Sequence, residues 1–457
     1  MLVLALTLRA LHASWGHRVT SGISSVEYRQ NPDHLAPGRE SGGYARLVRT
    51  AWLILALAVA ACAAPATQVA TASPTAFPSD LGATASPSSS PTPEPSASAT
   101  PPARTIDVVD GIEFAMITGP ADLRLETAIS RADEAVIASS VAADVEAVQR
   151  DFARSFTARP LVYVFATSEG YARGLARVFG YSTATAAFVA DNSVSFFEPS
   201  LLAIAVNWQA IGDRRPVAAI RHELTHRLTL DACAPRCDLV PAWFNEGEAR
   251  LAEALVPGSD WRMVRVRYEA ASMAATNTLI PLNTLVSQLT WNSLTDWAGY
   301  YKYQEAARAT ELLREDVGGD APIARIYERI RRGENLAQAY AALAGRPFDE
   351  FVAGLGERMR AAVPPAPGMI TLPLAPEGSG SSYLLYGFAP TTTVTLTISG
   401  PRGSETSPVT ISPFGAVFDG LPATRSPGGY TLSIQHPGGV ITAKVRKAGR
   451  GAPGDTR

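Results

Sequence analysis

His222 and His226 stand four residues apart with Glu223 between them, inside the stretch Ala218–Leu228. Ala219, Ile220, Leu224 and Leu228 recur at near-helical spacing, which predicts an amphipathic helix here. On that helix the two imidazoles lie one turn apart on one face and converge. That is the geometry a metal ion needs from a pair of histidines. Glu223 is offset by about 100° around the axis, so its carboxylate is placed to reach a water on such an ion rather than the ion itself. The plainer alternative is a helix that happens to carry two surface histidines. If the pair does bind metal, the chain has to fold so that a further ligand arrives on the same face.

A source for that ligand follows in Trp243-Phe244-Asn245-Glu246-Gly247-Glu248-Ala249. The separation is enough to end one helix, turn and begin another. A catalytic zinc takes three protein ligands and keeps its fourth position open, so Glu246 would complete a His₂Glu set. Taken together, the H-E-x-x-H signature and Trp243, Phe244, Glu246, Gly247 and Ala249 resemble the gluzincin metallopeptidases, in particular the compact peptidase MA-like group related to M1 aminopeptidases. The resemblance implies Zn²⁺ held by His222, His226 and Glu246, with Glu223 as general base. The family usually has an apolar residue where this chain has Glu248. That residue lies about 200° around the helix from Glu246 and should not compete for the metal.

The chain has 457 residues, 46% of them hydrophobic, and a formal charge of −2. It is long enough for two or three domains with real cores, and its charge balance gives no reason to expect nucleic acid as a partner. Residues 1–45 show no clear periodicity and read as an upstream extension. Arg46 and Arg49 then precede an apolar run from Ala51 to Ala61 that is too short to span a bilayer, the pattern of a secretory signal. Val59-Ala60-Ala61-Cys62 resembles a bacterial lipobox, which implies lipidation of Cys62 and a membrane anchor. The competing reading is an ordinary signal peptide cut after an alanine. Residues 62–104 are almost all Ala, Pro, Ser and Thr and cannot bury enough surface to fold. They would serve as an extended tether.

Order is predicted from Thr105. Short strands are expected at 106–109 and 113–117, a long helix from Asp122 to about Phe156, a strand at 160–165, a helix from Ser168 toward Val178, and strands at 194–197 and 202–206. A small mixed sheet leaning on the zinc helix is the layout the resemblance implies, with the last of these strands as the edge against which an extended peptide would lie. The glycine-rich exopeptidase loop of M1 aminopeptidases is missing, so their specificity does not carry over. Cys233 and Cys237 fall between the two half-motifs. In an oxidising compartment they would form a disulfide; a metal-binding pair is the alternative, although no second pair exists to complete it.

Helices are expected at 261–273, 305–316, 323–332, 336–343 and 348–362, with their arginines on solvated faces. Hydrolysis of an amide puts charge on the former carbonyl oxygen, and a phenol can stabilise it. The resemblance implies a tyrosine near a helix start for this role. Tyr303 is the first candidate and Tyr301 the second, while packing remains the alternative for both. After the break at Pro364–Pro367 the period switches to two, and six strands separated by turns predict an Ig-like β-sandwich. The sandwich is expected to act as a spacer, with contact to a cell wall or glycan as a second role.

The whole reads as an α+β chain: an upstream extension and signal peptide over 1–61, a linker over 62–104, a gluzincin-like metallopeptidase domain over 105–363 and an all-β Ig-like domain over 368–447. The expected activity is peptide-bond hydrolysis by an exported, membrane-anchored enzyme acting on a peptide or protein. The alternative is a binding lipoprotein with a vestigial site. Retention of Glu223, which zinc binding alone does not require, favours the enzyme.

Overall fold

The computed structural model describes residues 105–211, 218–256, 260–373, 381–421 and 425–447. The expected extension, signal, Cys62 anchor and linker lie outside them. The described residues form twelve α-helices and thirteen strands, and none of the helices is long and apolar enough to cross a membrane.

The first six strands build one mixed sheet: β1 (Thr105–Val109), β2 (Ile112–Thr118), β3 (Asp122–Glu126), β4 (Leu161–Phe165), β5 (Ser195–Glu198) and β6 (Ala203–Asn207), in the order β1-β2-β3-β4-β6-β5. β3, β4 and β6 run parallel, whereas β5 closes the edge antiparallel to β6. Alternating side chains divide between two cores, as strand geometry requires. Val162, Val164, Ile204 and Val206 face one core, and Tyr163, Phe165, Ala203 and Ala205 face the other. Helices α1 (Arg131–Asp151), α2 (Ser168–Arg177) and α3 (Thr183–Asn192) cover the sheet, and the short α4 (Trp208–Ile211) follows β6.

Two expectations about this region are overturned. Asp122–Glu126 is a strand, not the start of the long helix. Leu123 and Leu125 are buried at period-two spacing, and the helix begins only after Ser130, whose hydroxyl accepts from the backbone N–H of Asp133. The edge strand is β5, not β6; β6 lies between β4 and β5 with all five of its residues buried.

Helix α5 (Ala218–Cys233) packs on β5 and β6, and α6 (Ala242–Ala254), α7 (Asp260–Ala275), α8 (Gln288–Ser293), α9 (Asp296–Val317), α10 (Asp320–Arg331), α11 (Leu336–Ala344) and α12 (Phe348–Arg360) build a helical layer onto it. Helix α5, expected to be amphipathic, is buried on nearly every side. Its charges are tolerable there because they are paired: Arg221 with Asp151 at 2.6 Å, and Arg227 with Asp231. The expected solvated arginines also need correction, since Arg308 and Arg314 on α9 are buried and bonded to Glu311 and Glu248.

The C-terminal strands are β7 (Gly368–Pro373), β8 (Ser381–Tyr386), β9 (Thr393–Gly400), β10 (Gly403–Thr410), β11 (Val417–Gly420), β12 (Gly428–His436) and β13 (Gly439–Lys447). They form two antiparallel sheets, β11-β8-β7 and β10-β9-β12-β13. Leu385 and Val417 from the first sheet share a core with Leu396, Ile398, Leu432 and Ile434 from the second. Strand β7 was not among the six expected, and the length of β10 was not legible from hydropathy because β10 is largely exposed and polar.

Candidate metal centre

The candidate metal-binding face of α5 is made by two side chains four residues apart. The rings of His222 and His226 have their centroids 4.8 Å apart and are nearly perpendicular. Facing them is α6, which on another side packs closely on α9 through Gly247. A Cβ at that position would lie 2.6 Å from the carbonyl oxygen of Ala306 on α9, and closer still to the Thr310 hydroxyl. The glycine beside Glu246 is therefore a close-packing requirement. Opposite it on the helix, Glu248 is fully buried in an ion pair with Arg314 and takes no part in the site.

Glu246 Oε2 stands 3.6 Å from Nε2 of His222 and 3.5 Å from Nε2 of His226. One donor atom from each of these three residues falls within a 4.8 Å spread. Bonds of about 2.05 Å at tetrahedral angles would separate the ligand atoms by roughly 3.3 Å, close to what is seen. His222 and His226 make no hydrogen bond through any ring nitrogen, and Glu246 Oε2 has none either, although all are buried. Buried polar atoms without partners are costly, and a divalent cation at their centre would satisfy three of them together. The residues present fit a zinc ion.

The electrostatics agree. Burial alone would push the His222 imidazolium down, but Glu246, Glu253 and Glu223 outweigh it and raise the pKa to about 10. Glu246 is held well below the usual carboxylate range: burial opposes this, and the two histidines overcome it. The carboxylates around His222 thus favour a positive charge beside them, a proton or a cation.

Glu223 is fully buried beside the histidines and accepts a hydrogen bond from the Ser195 hydroxyl at 3.0 Å. Ser195 belongs to the edge strand β5, so the candidate base is tied to the sheet. Tyr303 comes to the site as well. Its ring lies 6.4 Å from that of His222 and makes an edge contact with Trp291. Burial first, then Glu246 and Glu223, raise its pKa well above the ordinary value, so its phenol remains a donor. It sits in the third turn of α9, since that helix starts at Asp296 rather than near residue 305. Tyr301 is not brought to the site. It points the other way from α9 and donates to the Ala416 carbonyl in the sandwich at 2.8 Å. Cys233 and Cys237 are disulfide-bonded at the end of α5.

Comparison with known protein families and with curated proteins finds no match for this chain.

Several residues that shape the site gave no motif. Glu253 lies 3.5 Å from Nδ1 of His222 through Oε2. It is seven residues after Glu246, hence on the same face two turns on, and that spacing was the one available signal. Gln288 donates to Glu246 Oε1 at 3.1 Å from α8. The segment before α8 also caps α6, because the carbonyls of Val286 and Leu285 accept from the N–H groups of Ala242 and Trp243. Lys302 fastens α8 from the other side by donating to the Trp291 and Leu294 carbonyls. Burial lowers its pKa to about 8 against the pull of Glu246.

Proposed function

We propose that this chain is an exported zinc metallopeptidase of gluzincin type. The observation that carries the reading is the convergence of His222, His226 and Glu246 on one point with their facing atoms unpartnered, while Glu223 lies buried alongside. When bound there, zinc supplies Lewis acidity, acidifying a water and polarising a peptide carbonyl. Glu223 takes the proton from the attacking water and hands it to the departing amine. Ser195 orients that carboxylate. Tyr303 donates its phenol proton toward the oxygen on which charge develops. A peptide or protein substrate would lie extended along β5, the last strand of the sheet, which carries Ser195 beside Glu223.

The sandwich is read as Ig-like. Support comes from its three-plus-four strand arrangement and from Tyr430 on the sixth strand, whose hydroxyl donates to the Ser426 carbonyl at 2.6 Å. That bond has the form of a tyrosine corner. The Cys233–Cys237 bond fits an oxidising compartment and so accords with export and with Cys62 as a lipid anchor. Membrane fractionation of Cys62→Ser tests the anchor: the variant should be released in soluble form, and retention would refute lipidation at that residue.

The deciding experiment measures zinc content and peptide hydrolysis together in wild type and Glu223→Gln. Wild type should hold one zinc per chain and cleave a peptide pool in a chelator-sensitive manner, whereas Glu223→Gln should keep the zinc and lose at least about a hundredfold in rate. Zinc without cleavage in the wild type would replace this reading with that of a binding lipoprotein.

A further inference from the structure

Nδ1 of His222, the nitrogen turned away from Glu246, faces Glu253 at 3.5 Å. Glu253 is in turn held by two arginines, Arg250 at 2.6 Å and Arg262 at 2.5 Å. Arg250 lies on α6 with Glu253 and moves with it. Arg262 comes from α7, so it is the tie that fixes the Glu253 carboxylate relative to the rest of the protein. The guanidinium of Arg262 lies over the indole of Trp261 at 4.7 Å. Trp261 is stacked almost parallel, at 7°, on Phe418 of the sandwich strand β11. Phe418 also carries the Arg265 guanidinium over its face at 3.6 Å.

The docking around this stack is specific. Ser272 on α7 donates to the Gly415 carbonyl at 2.7 Å and accepts from the Gly387 N–H at 3.0 Å, while Tyr301 on α9 donates to the Ala416 carbonyl. Met273 and Tyr301 share a buried cluster with Leu384 and Ala416. Helix α7 thus presents one side to the sandwich and, through Arg262, reaches the carboxylate behind a histidine of the metal centre.

We infer that the C-terminal sandwich is a structural arm of the metal centre. Through Phe418, Trp261 and Arg262 it fixes Glu253 against Nδ1 of His222, and in doing so it sets how tightly the site holds its divalent cation. The inference rests on the metal reading of the site given above. Phe418, Trp261 and Arg262 are positioning residues, because none of them touches the cation or a substrate. The physical ground is that a ligating imidazole owes its orientation and donor strength to the carboxylate facing its other nitrogen, here Glu253 at 3.5 Å, within ion-pair distance though without hydrogen-bond geometry, and loss of such a group costs about 10–100-fold in metal affinity. A module that only spaced the catalytic part from a surface would have no such path.

The test is the zinc dissociation constant of the full chain, measured by competition with a chelator of known affinity. It is accompanied by ¹⁵N NMR of the His222 ring in zinc-free protein and by calorimetry to follow the fold. Phe418→Ala should weaken zinc binding by about tenfold and shift the His222 Nδ1 resonance. Phe418→Leu keeps apolar volume for folding but has no ring, and should do the same to a smaller degree. Phe418→Tyr keeps the ring and should restore wild-type affinity. A folded Phe418→Leu or Phe418→Ala chain that binds zinc within twofold of wild type, with an unshifted His222 ring, would overturn the relay while leaving the metal reading intact. Absence of zinc uptake by the wild-type chain would overturn the metal reading and this inference together.

Discussion

Glu223 and Glu253 are both buried carboxylates that act on His222, and their partners give them different work. Glu223 has a neutral hydroxyl donor, Ser195, whereas Glu253 has two guanidinium groups. The first is placed to exchange a proton; the second is locked as an anion, held well below the usual carboxylate range once the arginines and His222 outweigh its burial. Replacing Ser195 by Ala should leave zinc bound and reduce kcat by roughly 10–100-fold, the cost of one hydrogen bond to a charged group, as single-turnover kinetics would report. Glu253→Gln should leave peptide turnover at saturating zinc much less affected than zinc affinity. A third buried acid, Glu305, accepts from the Ile280 N–H at 2.9 Å, and burial raises its pKa to about 8 from an ordinary 4.5. The folded chain keeps that proton where the unfolded chain has released it. Its contribution to stability should therefore fall by ~1.4 kcal/mol per pH unit as pH rises from about 5 to 8, then level off. Urea unfolding across that range should show the slope in wild type and lose it in Glu305→Gln.

Among the elements, α6 carries the densest set of constraints. Its first turn is capped by the carbonyls of Leu285 and Val286, its middle presses on α9 through Gly247, and its last turns carry Glu253. Gly247→Ala should force the α6 and α9 backbones apart, at a cost of about 1–3 kcal/mol for overpacking. Because Glu246 precedes it and Tyr303 rides on α9, the same change should weaken zinc binding more than an equally destabilising substitution elsewhere, for example Ser130→Ala at the start of α1. Paired denaturation and zinc-competition measurements on the two variants would separate those effects. The departure at α5 has a physical cause. Helix α5 carries polar groups at its buried positions, so an amphipathic reading was natural. Arg221 is neutralised by Asp151, 70 residues earlier, and no hydropathy pattern reports a partner at that distance, whereas Arg227 pairs with Asp231 one turn on along the same helix.

Over the whole molecule, the helical part and the sandwich meet through a buried, hydrogen-bonded and aromatic contact. Ser272 alone serves both the Gly415 carbonyl and the Gly387 N–H. Its replacement by Ala should cost about 1–3 kcal/mol, the penalty for leaving a buried donor, the Gly387 N–H, without a partner. The Gly415 carbonyl is spared because it also accepts from Phe388. Scanning calorimetry of the described part should give one cooperative transition. Two well-separated transitions would mean that the sandwich folds without reference to α7 and α9.

The sequence alone determined the elements whose signal is local. These are the His222–His226 turn, the Glu246 segment, the alternating strands of the sandwich and the Cys233–Cys237 pair, since periodicity and spacing act over a few residues. It also narrowed the choice of tyrosine to two. Tertiary packing decided between them, because residues 301 and 303 face opposite sides of α9 and the sequence does not say which side meets α6. The same holds for Ser195, Gln288 and Glu253, which reach the site from a sheet edge, a short helix and a second helical face. It holds equally for the sandwich, six of whose seven strands were expected while its seat on α7 was not. A contact between residues far apart in the chain is a property of how surfaces match, and no one segment carries that information by itself.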